Sequence, residues 1–246
     1  MRYFVLIMLS VVNIYAIVSI SPVDIGDKPG ISGGINGSFD TKRGNTESDN
    51  YSAGIKLSYD DNKSYLMWGE FSFTYGEASG AKNANQSYAH IRYIRRIEKS
   101  IEWEAFVQSQ SNEFTKVDER LLGGAGLRLH INKEVWGDFY YGLGAFYEYI
   151  TYTTDIDIDE KNIRGNTYVA YKKDITKDSK FSYVIYYQPQ IKNFNDYIIS
   201  NAVELKILIY EKLYVNFNIT YNKDSKPAID VKQVDISQKT SFIYKF

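Results

Sequence analysis

Apolar and polar side chains alternate with a period of two from about residue 30 to the end of the chain, and helical periodicity is nearly absent there. Such alternation puts successive side chains on opposite faces of an extended strand. In 213–222, Leu213, Val215, Phe217, Ile219 and Tyr221 share one face, and Tyr214, Asn216, Asn218, Thr220 and Asn222 share the other. The same reading turns Ile101, Trp103, Ala105 and Val107 outward and Glu102, Glu104, Phe106 and Gln108 inward. On a later strand it turns Val203, Leu205, Ile207 and Ile209 outward and Ala202, Glu204, Lys206 and Leu208 inward. Twelve strands are predicted, at 30–42, 47–59, 64–76, 86–97, 100–110, 119–131, 136–150, 162–174, 180–192, 197–210, 212–223 and 231–246.

Connection lengths carry a second signal. Those after the even strands are short, at 60–63, 98–99, 132–135, 176–179 and 211–212. Most of those after odd strands are longer and polar, at 43–46, 77–85, 111–118, 151–161 and 223–230, with 193–196 the short exception. Bacterial outer-membrane barrels have this plan, an even strand number with short periplasmic turns and longer outer loops. A soluble β-sandwich or lipocalin-like barrel gives the same alternation with its apolar face turned inward. Charged residues at mid-strand on the polar faces, long strands and only 4 Pro favour the membrane arrangement. At the C-terminus Val234, Ile236, Phe242, Tyr244 and Phe246 share one face. An alternating tail closed by an aromatic residue resembles the signal read by the barrel-assembly machinery. The expected fold is therefore all-β, a transmembrane antiparallel up-and-down β-barrel over residues 30–246. It is expected as a monomer in a bacterial outer membrane, against outer-membrane lipids and lipopolysaccharide.

Residues 1–20 read as a signal peptide, with Arg2 ahead of an apolar stretch and cleavage after Ala16 or Ser19; an uncleaved anchor is the alternative. Residues 21–29, with Pro22 and Pro29, read as a periplasmic lead-in. Composition narrows the chemistry. The chain has no Cys, which excludes disulfides, thiolate zinc sites, a thiol nucleophile and a lipoprotein anchor. Its net charge of -1 and lack of a basic stripe give no reason to expect nucleic acid, and no phosphate-cradling glycine motif points to a cofactor. The 23 Tyr suit strands and water–lipid interfaces alike.

Several short motifs occur in a distinctive order. The segment Gly33-Gly34-Ile35-Asn36-Gly37-Ser38-Phe39 is followed by Arg43-Gly44-Asn45-Thr46-Glu47, then a strand with Ile55, Leu57 and Tyr59. Next come Tyr93-Ile94-Arg95-Arg96, Glu104-Ala105-Phe106-Val107-Gln108 and Arg120-Leu121-Leu122-Gly123-Gly124-Ala125-Gly126. This order resembles the salt-induced outer membrane protein family, a YdiY-type domain of unknown function. From about Asp155 onward only the barrel pattern matches. The resemblance implies an outer-membrane barrel and, through the family's name alone, a link to osmotic or envelope stress. It brings no catalytic residue.

Candidate chemistry is sparse. A lipid- or lipopolysaccharide-modifying enzyme would need a serine activated by histidine. The two histidines, His90 and His130, fall on the inward face beside Arg92 and Arg128, and no Gly-x-Ser-x-Gly occurs. Asp155, Asp157, Asp159 and Glu160 alternate as calcium ligands do, but Glu160 stands where an EF-hand glycine would turn, so a solvated outer loop is expected. A receptor or adhesin acting through the outer loops is a further alternative. The expected lumen charge network is Glu70, Arg92, Glu102, Glu104, Arg120, Arg128, Glu148, Arg164, Glu204 and Lys206. Charges there must be paired or hydrated, and both signs are present, so a structural or narrow-pore barrel is expected over a strongly selective channel. Turns near residues 98 and 134 set Arg92 opposite Glu104, Tyr93 opposite Trp103 and Arg120 opposite Glu148. They also set Gly126 opposite Gly142 and Gly124 opposite Gly144, a glycine strip along which free space should run in a constricted lumen.

Overall fold

The computed structural model describes residues 22–42, 48–78, 80–133, 135–154 and 156–246. The expected signal peptide and the Arg43 to Glu47 motif lie outside the described residues. The strands are β1 (Gly30–Lys42), β2 (Ser48–Asp60), β3 (Tyr65–Ala78), β4 (Ala81–Arg96), β5 (Ile101–Asn112) and β6 (Val117–Lys133). They continue as β7 (Gly137–Tyr152), β8 (Glu160–Thr176), β9 (Ser179–Gln190), β10 (Asn193–Tyr210), β11 (Leu213–Asp224) and β12 (Val234–Lys245). Each pairs antiparallel with its sequence neighbours, and β12 returns to β1, so the sheet is a closed barrel of twelve strands. Closure removes the sheet edges that a lipid environment cannot hydrate.

The alternation read from sequence decides the two surfaces. Ile35, Phe71, Ile91, Leu127, Leu143, Ile163 and Phe242 stand exposed on the outside. Inside, Asn216, Thr220, Asn222, Ser237 and Ser241 are buried. Among the described residues no helix is long and apolar enough to cross a membrane.

Two hairpins differ in register from expectation. The β4–β5 turn occupies 97–100, with Ile97 N–H donating to the Ile101 carbonyl at 2.9 Å, and this sets Arg92 against Phe106 and Tyr93 against Ala105. The β6–β7 pairing sets Arg120 against Ile150, Gly126 against Gly144 and Gly124 against Phe146. Each partner lies two residues beyond the expected one. A shift of two keeps every side chain on its face, so the hydrophobic pattern could not detect it. The loop expected at 77–85 is also mostly strand, since β3 and β4 pair out to Ala78 and Ala81.

Residues 22–29 are the described part of the expected lead-in. They fold into the turn end of the barrel as a strap. Ile25 is buried against Leu66, Trp68 and Ile94. Arg96 Nη2 donates to the Ile25 carbonyl at 3.1 Å, Arg128 Nη2 to the Val23 carbonyl at 3.1 Å, and Gly26 N–H to Asp60 Oδ2 at 2.7 Å.

Candidate functional site

The lumen is divided lengthwise into a filled side and an open side. Large aromatic residues fill the wall from β3 to β9. Tyr140, Tyr168 and Tyr186 pack with Ala170, Val184 and Ala202, and Phe106, Leu122 and Phe146 form a second cluster. The glycines make room for these rings. A Cβ on Gly142 would lie 2.0 Å from the Tyr168 ring, and one on Gly124 would lie 2.5 Å from Phe146 Cβ. At Gly126 and Gly144 the limit is the facing backbone, within 2.7 Å and 2.4 Å. The expected free strip along Gly124, Gly126, Gly142 and Gly144 is therefore occupied. Inward aromatic residues opposite glycines were the sequence signal that could have shown it.

Arginine–carboxylate pairs run through the filled side. Arg120 and Arg164 hold the two oxygens of Glu148, and Arg164 Nη1 also donates to Asp196 Oδ1 at 2.9 Å. Arg128 Nε donates to Glu102 Oε2 at 2.6 Å. Arg92 Nη1 donates to Glu104 Oε2 at 3.3 Å, and the Tyr168 hydroxyl donates to the same oxygen at 3.1 Å. These groups are nearly solvent-free, so each charge depends on its partner. Arg92 still reaches Glu104 because long side chains bridge diagonal positions, and the Tyr93 and Trp103 rings meet edge-on at 6.0 Å in the same way.

The remaining expected lumen charges, Glu70, Glu204 and Lys206, lie on the open side. There a cavity of about 1360 Å³ runs between the ends of the barrel, touching Lys28 and Lys245 at the turn end and Asn50, Asn112 and Asp235 at the loop end. Lys206 pairs with Glu204 at 2.9 Å. Lys56 sits 4.1 Å from the Trp68 ring centroid, and Lys245 sits 3.9 Å from that of Tyr214. Lys180 and Lys239 also line the space, with Asn36, Asn218 and Ser241 among its neutral walls. Lys28, in the strap, is held below the ordinary lysine range by burial and by the charges of Lys180 and Lys206. Of the acids along this wall, Asp24 and Asp27 share Lys172, and Asp60 accepts from the strap backbone. Lys180 is paired with Asp174 at 3.1 Å, and Lys28, Lys56, Lys239 and Lys245 then face Glu70 and Asp60, so lysines outnumber carboxylates at the middle and turn end of the open side. These lysines apart from Lys206 were absent from the expected network.

Asp24 ties the strap to the filled side. Its Oδ2 accepts from the Tyr140 hydroxyl at 2.6 Å and from Lys172 Nζ at 2.5 Å. Burial raises its pKa, but Lys172, Tyr140 and Arg128 more than offset this, and the carboxyl titrates below its ordinary range. Asp24, His130 and Asp138 bring ligand-type atoms within 4.8 Å of one another. Lys172 and Arg128 already face Asp24, so the positive charge a metal would bring is present. His130 Nε2 pairs with Asp138 at 3.0 Å, and His90 Nδ1 with Gln108 at 3.1 Å between the rings of Trp68 and Phe106. In the 151–161 region Asp155 lies outside the described residues, and Asp157 is a latch, accepting from Thr154 Oγ1 at 2.7 Å and from the Ile229 N–H at 3.1 Å.

The sequence from 35 to 246 matches the family model described as protein of unknown function, DUF481. The chain belongs to that family. DUF481 is the family of the YdiY-type salt-induced outer membrane proteins, so the motif order had pointed to the right relatives. No curated protein matches the sequence. The DUF481 barrel is similar to the translocator domain of the autotransporter NalP from Neisseria meningitidis, at 11% identity and a TM-score of 0.47, covering 89% of this chain and 90% of that one. It is similar to the NanC porin at 10% identity and a TM-score of 0.49, covering 87% and 97%. It is also similar to the KdgM porin in complex with disordered oligogalacturonate, at 11% identity and a TM-score of 0.43, covering 87% and 96%.

Proposed function

We propose that this DUF481 protein is a narrow, anion-preferring pore of the bacterial outer membrane, monomeric and without enzymatic activity. One observation carries the reading: a single cavity reaches from the turn end to the loop end of the barrel, along a wall where lysines outnumber free carboxylates. A wall of one prevailing sign concentrates counter-ions in a low-dielectric channel. The filled side supports the same reading, because arginine–glutamate pairs and aromatic rings leave only part of the bore for solutes. Neither histidine hydrogen-bonds a serine or threonine among the described residues, which gives an acyl-transfer enzyme no activated hydroxyl. Outer-membrane lipids and lipopolysaccharide are the partners that the apolar outer face fits, and the barrel-assembly machinery is the partner during insertion.

Single-channel recording of refolded protein in planar bilayers under a potassium chloride gradient tests it. The expected result is a small conductance whose reversal potential favours chloride. A Lys206→Gln, Lys239→Gln, Lys245→Gln triple variant should move the reversal potential toward cations. A folded protein that carries no current, or a wild type that prefers potassium, would overturn the reading.

A further inference from the structure

The loop between β11 and β12 does not stay over its own strands. Its tip, at Ile229 and Asp230, meets the connections that follow β5 and β7. Lys116 lies in the β5–β6 connection, and its Nζ donates to the Ile229 carbonyl at 2.6 Å and pairs with Asp230 at 3.6 Å. Asp157 lies in the β7–β8 connection, and its Oδ1 accepts from the Ile229 N–H at 3.1 Å. Around the closed sheet, β7–β10 separate the β5–β6 and β11–β12 hairpins on one side and β1–β4 separate them on the other. The two hairpins are diametrically opposite, so the loop crosses the mouth of the bore to reach Lys116.

The underside of this crossing roofs the lumen. Pro227, Ala228, Val231 and Lys232 line the cavity, and Ala228 is buried. At its base, Ser225 N–H donates to the Tyr197 carbonyl at 3.0 Å, and Tyr197 N–H donates to Ser225 Oγ at 2.7 Å. The other flank has less support. β12 pairs with β1 only from Gly34 against Lys245 to Gly37 against Phe242, so among the described residues its loop-end half pairs with β11 alone. The loop therefore has a base fixed on β10, an unpaired flank and a tip fixed across the bore.

The tip contacts are few and charged. Both backbone groups of Ile229, its N–H and its carbonyl, are taken by charged side chains of the far wall. The Ile229 side chain stands exposed, so polar contacts and not apolar burial hold this residue. Lys116 and Asp230 are non-glycine residues in the left-handed region, with φ of 59° and 63°. Such conformations persist where the surroundings over-determine them, and they collect at switch segments. The receiving side is built for its task. Thr153 N–H donates to the Lys116 carbonyl at 2.9 Å, and Thr154 Oγ1 donates to Asp157 at 2.7 Å.

We propose that residues 225–233 form a lid over the outer mouth of the bore, latched by Lys116 and Asp157 and opened when that latch lets go. The lid controls access to the lumen; as a gate on flow it rests on the pore reading above.

The full barrel is tested in intact cells with Ser72→Cys, a lumen-lining thiol in a chain that has no Cys of its own. The probe is a maleimide carrying a polyethylene glycol tail, too bulky to cross the outer membrane. Labelling is expected to be slow with the latch intact. It should be about ten-fold faster when Lys116→Gln and Asp157→Asn are added, since two charge-assisted hydrogen bonds are lost. Equal labelling rates in the two folded proteins would overturn the proposal. A second variant gives an independent measure. Lys116→Cys with Asp230→Cys, joined by a reducible bis-methanethiosulfonate linker, should pass less current than the same protein after reduction. Where current flows, an identical current before and after complete cross-linking would also overturn the lid, and this decides the matter if the Lys116→Gln, Asp157→Asn barrel does not fold. Latch-dependent labelling with no current in any form would remove the pore reading and leave the lid standing.

Discussion

Arg120 donates its Nε to Glu148 Oε1 at 2.7 Å, although the backbone sets Arg120 against Ile150 and Glu148 against Leu122. The other carboxylate oxygen accepts from Arg164 Nε at 2.5 Å, and Glu148 is fully buried. Glu148 is therefore the shared anion of two guanidinium groups. Glu148→Ala should cost roughly 3–5 kcal/mol, because it strands buried cations. Arg120→Ala should cost less, since Arg164 and Asn162 still hold Glu148. Urea unfolding in lipid vesicles measures both, and a larger loss for Arg120→Ala would contradict the arrangement.

Gly142 lies beneath the Tyr168 ring with no room for a methyl group. Gly142→Ala should lower stability by about 1–3 kcal/mol as the ring is forced from its position. Gly124→Trp should prevent folding, since Phe146 and Phe106 already occupy the space. The heat-modifiable band on a gel reports both effects. A folded Gly124→Trp barrel with reduced current would instead mean that free space does follow the glycines.

Asp24 gives the strap an acid-sensitive lock. Its pKa is depressed in the fold, so its contribution is complete above the unfolded value of about 3.8 and is lost as pH falls below that through the folded value. Hydrogen exchange at the Gly26 amide should accelerate below about pH 4 and stay slow at neutral pH. Asp24→Asn should expose the strap already at neutral pH, because Lys172 then lacks its closest anion. An Asp24→Asn strap as protected as the wild type at pH 7 would show that Ile25 and Asp60 hold it unaided.

Phe246 closes the chain on Gly33, with backbone hydrogen bonds in both directions, and stands outward beside Phe242 and Tyr244. Phe246→Asp should slow insertion and send translocated chains to periplasmic proteolysis, through loss of the terminal aromatic signal. Quantifying membrane-inserted barrel in cells checks this. Unchanged barrel levels would mean that the terminal aromatic is dispensable.

Strand number, antiparallel order and the face of each side chain were legible in the sequence, because strand geometry ties them to a period of two that Leu213 to Asn222 display without interruption. The pairing of Arg120 with Glu148 was legible for the same reason, as both belonged to the inward set. Register was not. Turns at 97–100 and at the end of β6 moved the partners by two residues, a shift that leaves inward and outward unchanged. The filled and open sides of the lumen depend on which strands face one another across the bore, and no local pattern encodes that. Tyr168 reaching Glu104, 64 positions away, and the strap's Asp24 reaching Lys172, 148 positions away, arise only when the sheet closes. The sequence by itself determined a barrel with an apolar outside and a charged inside; the tertiary structure decided where that inside is packed and where it is open, because packing is settled by three-dimensional neighbours and not by the alternation of any one strand.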